Sequence, residues 1–121
     1  MDKTTSETAT APTREQVRDA FQALYDGLGQ AYWAATTIES KDRIYGIEEI
    51  VYEAVIELNK EDIESNDELY KQVKDQVKSV IDKIDKLKDD IDTIIHAINI
   101  AADVAAGIDK AVQLAAKYFG I

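Results

Sequence analysis

Cysteine is absent from this chain of 121 residues, which contains only one histidine, one methionine, one proline and five glycines. Without cysteine there are no disulfides, no thiolate nucleophile and no Cys-ligated zinc or iron–sulfur centre. A helical diiron site needs several histidine and glutamate ligands, and His96 is the only histidine. The scattered glycines form no phosphate-binding loop of the GxGxxG or GxxxxGK type. These absences predict a protein that is not an enzyme and carries no cofactor or metal.

Basic residues are also scarce, because 14 Lys and Arg side chains face 24 acidic ones and leave a net charge of -10. A nucleic-acid backbone is bound by clustered Lys and Arg, so nucleic acid is excluded as the expected partner. The acidic excess is concentrated in residues 1–66, which hold 14 acidic and 6 basic residues. A basic protein partner is therefore expected to dock on the first half of the chain.

Long hydrophobic runs are missing as well. The most apolar region is 93–121, and its longest stretch without a formal charge is the ten residues 93–102. A bilayer-spanning helix needs about 20 mostly apolar residues, so no transmembrane helix is predicted. Residues 1–11 are rich in Thr and Ser and lack the apolar core of a secretory signal, so no such signal is predicted. The expected location is the cytoplasm, with a signal-independent secretion route left open.

What the chain does have is helical periodicity. Residues 1–12 are rich in Thr and Ser and are predicted to be a disordered tail, followed by a single helical domain over 13–121. Thr13 followed by Gln16 is typical of a capping box. Apolar residues then recur in steps of four and three, which predicts two helices at about 13–39 and 42–60. Their apolar stripes are Val17, Phe21, Leu24, Leu28, Ala31, Ala35 and Ile38, and then Ile44, Ile47, Val51, Ala54 and Leu58.

The third helical segment, about 67–119, keeps the same apolar spacing throughout and predicts coiled-coil-type packing. It is interpreted as one long helix, or as one kinked near 89–93 or 107. Two architectures of an all-α antiparallel hairpin or bundle are compatible with it. In the extended form, two chains associate into a dimeric four-helix bundle. In the compact form, the chain turns near 89–93 and closes a four-helix bundle by itself.

A row of acids along the second helix has three interpretations. Glu49, Glu53 and Glu57 follow each other at intervals of four residues and share one helix face. The favoured interpretation is an antiparallel hairpin whose register brings these acids near lysines of the next helix, namely Lys78, Lys74 and Lys71 in the same order. Less favoured are a plain solvated surface and a mimic of a phosphate backbone.

Aromatic residues gather on the first helix. Phe21, Tyr25 and Tyr32 are expected to fill or cap the core, with Trp33 at a rim or an interface between subunits. A ligand-lining aromatic patch is the less favoured interpretation.

The expected function is inferred from the last segment of the chain. Residues 93–121 carry apolar side chains on nearly every face and therefore need burial on more than one side. The sequence predicts a non-enzymatic helical-bundle protein acting through helix–helix association with itself or with a protein partner. The residues expected to mediate association are Ile98, Ala105, Ile108, Val112 and Phe119. The alternative is a small acidic inhibitor or immunity-type protein that neutralises a basic partner through helix 42–60. A protein that binds a membrane surface ranks third.

Overall fold

The computed structural model describes residues 11–121, apart from the side chain of Glu61. The predicted tail lies outside the described residues except for its last two positions. The chain forms four α-helices, with one 3₁₀ turn before the third of them. They are α1 (Arg14–Ala34), α2 (Ile38–Leu58), the 3₁₀ turn (Glu61–Glu64), α3 (Asp67–Ile94) and α4 (Ile98–Phe119).

The helices close into an up-down-up-down bundle. Helix α1 packs against α2 and α4, and α3 packs against the same two helices. The links between α1 and α2 and between α3 and α4 have three residues each, so consecutive helices run antiparallel. Ala35 in one link and Ile95 in the other form an antiparallel backbone bridge, which places both links at one end. The predicted all-α helical bundle is confirmed, in its compact form.

The interpretation of residues 67–119 as one long helix is wrong, and the interpretation with a break is closer to the structure. The chain leaves the helix at Ile95 and resumes it after Ala97, just beyond the window of 89–93 and far from 107. The first two helices likewise meet at 35–37 rather than near 40, where Thr37 caps α2 by accepting a hydrogen bond from the Ser40 N–H. Both breaks allow the bundle to fold back and cover the apolar faces that an extended helix leaves in water.

The core is built from the predicted stripes. Every residue of the two apolar stripes predicted for the first two helices is buried, with the single exception of Ile38. The residues of α3 that keep the same apolar spacing are buried as well: Val73, Val77, Val80, Ile84, Leu87 and Ile91. In the described part of the chain no polar or charged residue is fully buried. Ile38 and Ile98 start the helices that follow the two short links, and they are 75% and 84% exposed.

Arg14 closes the opposite end of the bundle. Its guanidinium is largely buried and donates a hydrogen bond of 2.8 Å to the backbone oxygen of Leu58. The last carbonyls of a helix lack intrahelical partners and carry partial negative charge, so a cation stabilises them. Nearby, the Tyr118 hydroxyl donates to Glu64 and ties α4 to the 3₁₀ turn. Burial, together with this hydrogen bond, raises the pKa of Tyr118 well above its usual range.

Arg14→Met is expected to lower the free energy of unfolding by about 1–2 kcal/mol. Methionine keeps the apolar stem but leaves the Leu58 carbonyl without its charged donor. Urea unfolding followed by circular dichroism measures the change. As a control, Arg18→Met removes a more exposed guanidinium that bonds Asn59, so we expect a loss below about 0.5 kcal/mol. Equal losses for the two variants would contradict the capping role of Arg14.

Candidate interaction face

The residues predicted to mediate association through α4 do not share one surface. Ile108 and Phe119 are buried in the core, and Ala105 and Val112 are partly buried. Only Ile98 is freely exposed, at the start of α4. The apolar faces of α4 are covered by α1 and α3 of the same chain. A partner that binds the folded protein would therefore contact few of the α4 residues that were predicted to mediate association.

The predicted ion pairs between α2 and α3 do not form among the described residues. Glu49 and Glu53 are exposed, and Glu57 pairs with Lys60, whose Nζ lies 2.9 Å from the Glu57 carboxylate. The ion pair that joins α2 to α3 is instead Arg43 with Asp90, at 2.9 Å. Because α2 advances 100° per residue, Glu49 and Glu53 lie about 120° and 80° around it from Arg43. The acid row therefore faces solvent rather than the lysines of α3.

A second apolar line runs along the outside of α2, and the sequence interpretation missed it. Ile38, Tyr45, Tyr52 and Ile56 follow at intervals of seven, seven and four residues, which places them on one line of the helix. Ile38 is largely exposed, and the other three are about half exposed. At a rise of 1.5 Å per residue the line is about 27 Å long. The heptad spacing was visible in the sequence beside the core stripe.

Aromatic side chains of α1 border this line. The ring centroids of Tyr25 and Tyr52 are 5.2 Å apart, so the two helices share an aromatic contact at the surface. The Tyr32 ring meets Trp33 edge-on at 5.2 Å, and Trp33 is 80% exposed. Phe21 is buried in the core, as the sequence predicted. Trp33 lies at the surface, in agreement with the rim position predicted for it. We call the whole surface the α1–α2 face; it comprises Tyr25, Tyr32, Trp33, Ile38, Tyr45, Tyr52 and Ile56.

An open notch lies in the α1–α2 face where Trp33 approaches α2. It has a volume of about 320 Å³ and is lined by Gly29, Tyr32, Trp33, Tyr45 and Glu48. Burial raises the pKa of the Glu48 carboxyl, because a partly desolvated carboxylate is less stable in its charged form. No basic side chain of the described residues lies within 4.0 Å of this carboxylate.

One cation of the chain already contacts the aromatic rings beside the notch. The Nζ of Lys41 lies 4.8 Å from the centroid of Tyr32 and 5.5 Å from that of Trp33. The same Nζ donates a hydrogen bond of 2.8 Å to the backbone oxygen of Tyr32. Lys41 is not among the residues that line the notch. The two rings are therefore held in an orientation that accepts positive charge.

Acids border the apolar line on its outer side. Glu49 and Glu53 lie about 40° and 80° around α2 from Tyr45, both exposed to solvent. Helix α2 as a whole has six acidic and two basic residues, whereas α4 has two of each. The α1–α2 face thus combines an apolar centre with negative charge along one edge.

Metal-ligating side chains do not come together in the part of the chain that the structure describes. His96 is exposed in the link between α3 and α4. Residues 11–121 contain no cluster of three or more His, Asp or Glu side chains arranged to hold a metal ion. None of the helices in this range is both long and apolar enough to cross a bilayer. Comparison with protein-family models, with curated proteins and with solved structures found no match for this chain.

Proposed function

We propose that this protein is a non-enzymatic helical bundle that binds a protein partner through the α1–α2 face. The bound segment is an amphipathic helix whose apolar stripe is bordered by Lys and Arg. The observation that carries the proposal is the line of exposed apolar side chains on α2, which no other element of the described chain covers. The proposal places this interaction in the cytoplasm, the compartment expected from the sequence.

The size and composition of the face support a helix as the bound segment. A line of about 27 Å matches five turns of a partner helix, or about 18 residues. Amphipathic helices dock in this way, with anchors spaced three, four and seven residues apart along a groove. Tyr and Trp are enriched among the residues that carry binding energy.

Charge favours a basic partner over a second copy of this chain. Two copies meeting through α2 would bring together two helices that each carry a net charge of -4. Such like-charge contacts oppose association, whereas Lys and Arg at the edge of a partner helix complement Glu49 and Glu53. The earlier expectation of self-association also relied on α4, whose apolar surface the bundle already uses.

A photo-crosslinking experiment tests the proposal in cells that produce the protein. Benzoylphenylalanine replaces Tyr52 on the α1–α2 face, and in a matched variant it replaces Gln72, an exposed residue of α3. We expect a discrete adduct from position 52 and none from position 72. Mass spectrometry of the adduct should identify an amphipathic helical segment with Lys or Arg beside its apolar stripe.

Three outcomes would overturn the proposal. Equal adducts from both positions would mean that contact is not specific to this face. Adducts between two copies of this chain would favour self-association, with light scattering at micromolar concentration as the check. An adduct with an acidic or extended segment would contradict the proposed chemistry of the partner.

A further inference from the structure

We infer that the notch lined by Tyr45, Trp33 and Glu48 holds the guanidinium group of one arginine from the docked segment. This inference deepens the proposed function and rests on it. It names the side chain that positions the partner helix along the α1–α2 face. The argument uses three observations about the notch: its aromatic walls, its carboxylate and its size.

The aromatic walls suit a flat cation. Guanidinium groups stack on aromatic rings, and Trp and Tyr are the rings that attract cations most strongly. The position of Lys41 over Tyr32 and Trp33 shows that a positive charge already lies against two of these rings. Its Nζ donates to the Tyr32 carbonyl, so Lys41 does not supply a counter-charge for Glu48. Tyr45 and Glu48, which also line the notch, remain available to bind a second cation.

The carboxylate of Glu48 selects for charge and geometry. It is partly desolvated and has no basic partner within 4.0 Å among the described residues. A guanidinium fork bonds a carboxylate through two parallel N–H donors, which a lysine ammonium does not do. Binding an arginine would give this partly desolvated negative charge a counter-charge that offsets the cost of its burial.

The notch is large enough for one extended side chain. Its volume is about 320 Å³, near the lower end for small-ligand sites, and it is open to solvent. Gly29 forms its floor on the α1 side: a Cβ at this position would lie 3.8 Å from the Glu48 carboxylate. The absence of a side chain at Gly29 therefore leaves room beside the carboxylate for a donor group.

Titration of the full chain with N-acetylarginine N-methylamide tests the inference directly. Trp33 is the only tryptophan and is exposed, so its fluorescence and its indole N–H signal report on the notch alone. We expect a saturable change with a dissociation constant in the millimolar range, as is typical of a single side chain. The citrulline analogue, which has the same shape without the charge, should bind at least about tenfold more weakly.

Matched variants locate the binding. Glu48→Gln keeps the size of the side chain and should weaken arginine binding by about tenfold, because it removes the charged acceptor. Glu68→Gln removes an exposed carboxylate from α3 and should leave binding unchanged. Circular dichroism confirms that both variants keep the helical fold. Equal affinity for arginine and citrulline, or an unaltered affinity in Glu48→Gln, would overturn the inference.

The test separates this inference from the proposed function. If a crosslink from position 52 identifies a basic amphipathic helix but arginine fails to bind the notch, the docking face stands and the arginine assignment is wrong. If arginine binds the notch while position 52 gives no adduct, the notch is a cation site, but its assignment to a docked helix is wrong. Both results together support the inference.

Discussion

Phe21→Ala is expected to lower the free energy of unfolding by about 3–5 kcal/mol. The Phe21 ring is fully buried in the core, and alanine would leave a cavity that the surrounding helices fill only in part. Domains of this size have total stabilities of about 5–15 kcal/mol, so the variant loses a large share of its stability. Thermal and urea unfolding followed by circular dichroism measure the change.

Trp33→Ala is the matched control on the same helix. The Trp33 ring is larger but 80% exposed, and its main partners are the Tyr32 ring and the Lys41 ammonium. We expect a loss below about 1 kcal/mol, the usual strength of an exposed cation–π contact. A loss as large as that of Phe21→Ala would mean that Trp33 packs in the core and that the α1–α2 face is not a free surface.

The double reversal Glu49→Lys with Glu53→Lys is expected to weaken partner binding by at least about a hundredfold, since both charges face the basic edge of the docked helix. The free energy of unfolding should change by less than about 0.5 kcal/mol, because both side chains are exposed and neither forms an ion pair among the described residues. The yield of the crosslink from position 52 and urea unfolding supply the two readouts.

A reversal of equal charge on α3 is the control for this prediction. Asp75→Lys with Asp82→Lys changes the net charge by the same amount at exposed positions away from the α1–α2 face. Binding should fall far less in this control. If both double variants lose binding equally, the partner responds to overall charge rather than to the face. If the α2 reversals unfold the bundle, the acids support the hairpin, as the sequence interpretation held.

Much of the core could be predicted from the sequence, because burial on one side of a helix enforces a period of 3.6 residues. The stripe from Val73 to Ile91 is buried along the whole of α3. The capping box at Thr13 is also confirmed, with the Thr13 hydroxyl accepting from the Gln16 N–H and the Gln16 side chain accepting in return. Both features depend on residues close together in the chain.

The break between α3 and α4 could not be predicted in the same way. Neither glycine, proline nor asparagine stands at Ile95–Ala97, and Ala97 has no side chain that caps α4. The apolar spacing continues through the break from Ile91 to Ile98. The helix ends there because the chain closes into a bundle. Packing of α4 against α1 buries apolar surface that one long helix would expose.

The sequence alone determined that this protein is helical, acidic and built around periodic apolar faces, since those properties follow from composition and local spacing. It predicted the core line of α2, but it did not determine that a second apolar line of the same helix stays in solvent. Ile44, Ile47 and Val51 repeat with helical spacing, and so do Ile38, Tyr45 and Tyr52. The packing of α1 and α3 against α2 buries the first line and leaves the second in solvent. The exposure of the second line, which creates the α1–α2 face, depends on how four helices share one core, and no local pattern specifies it.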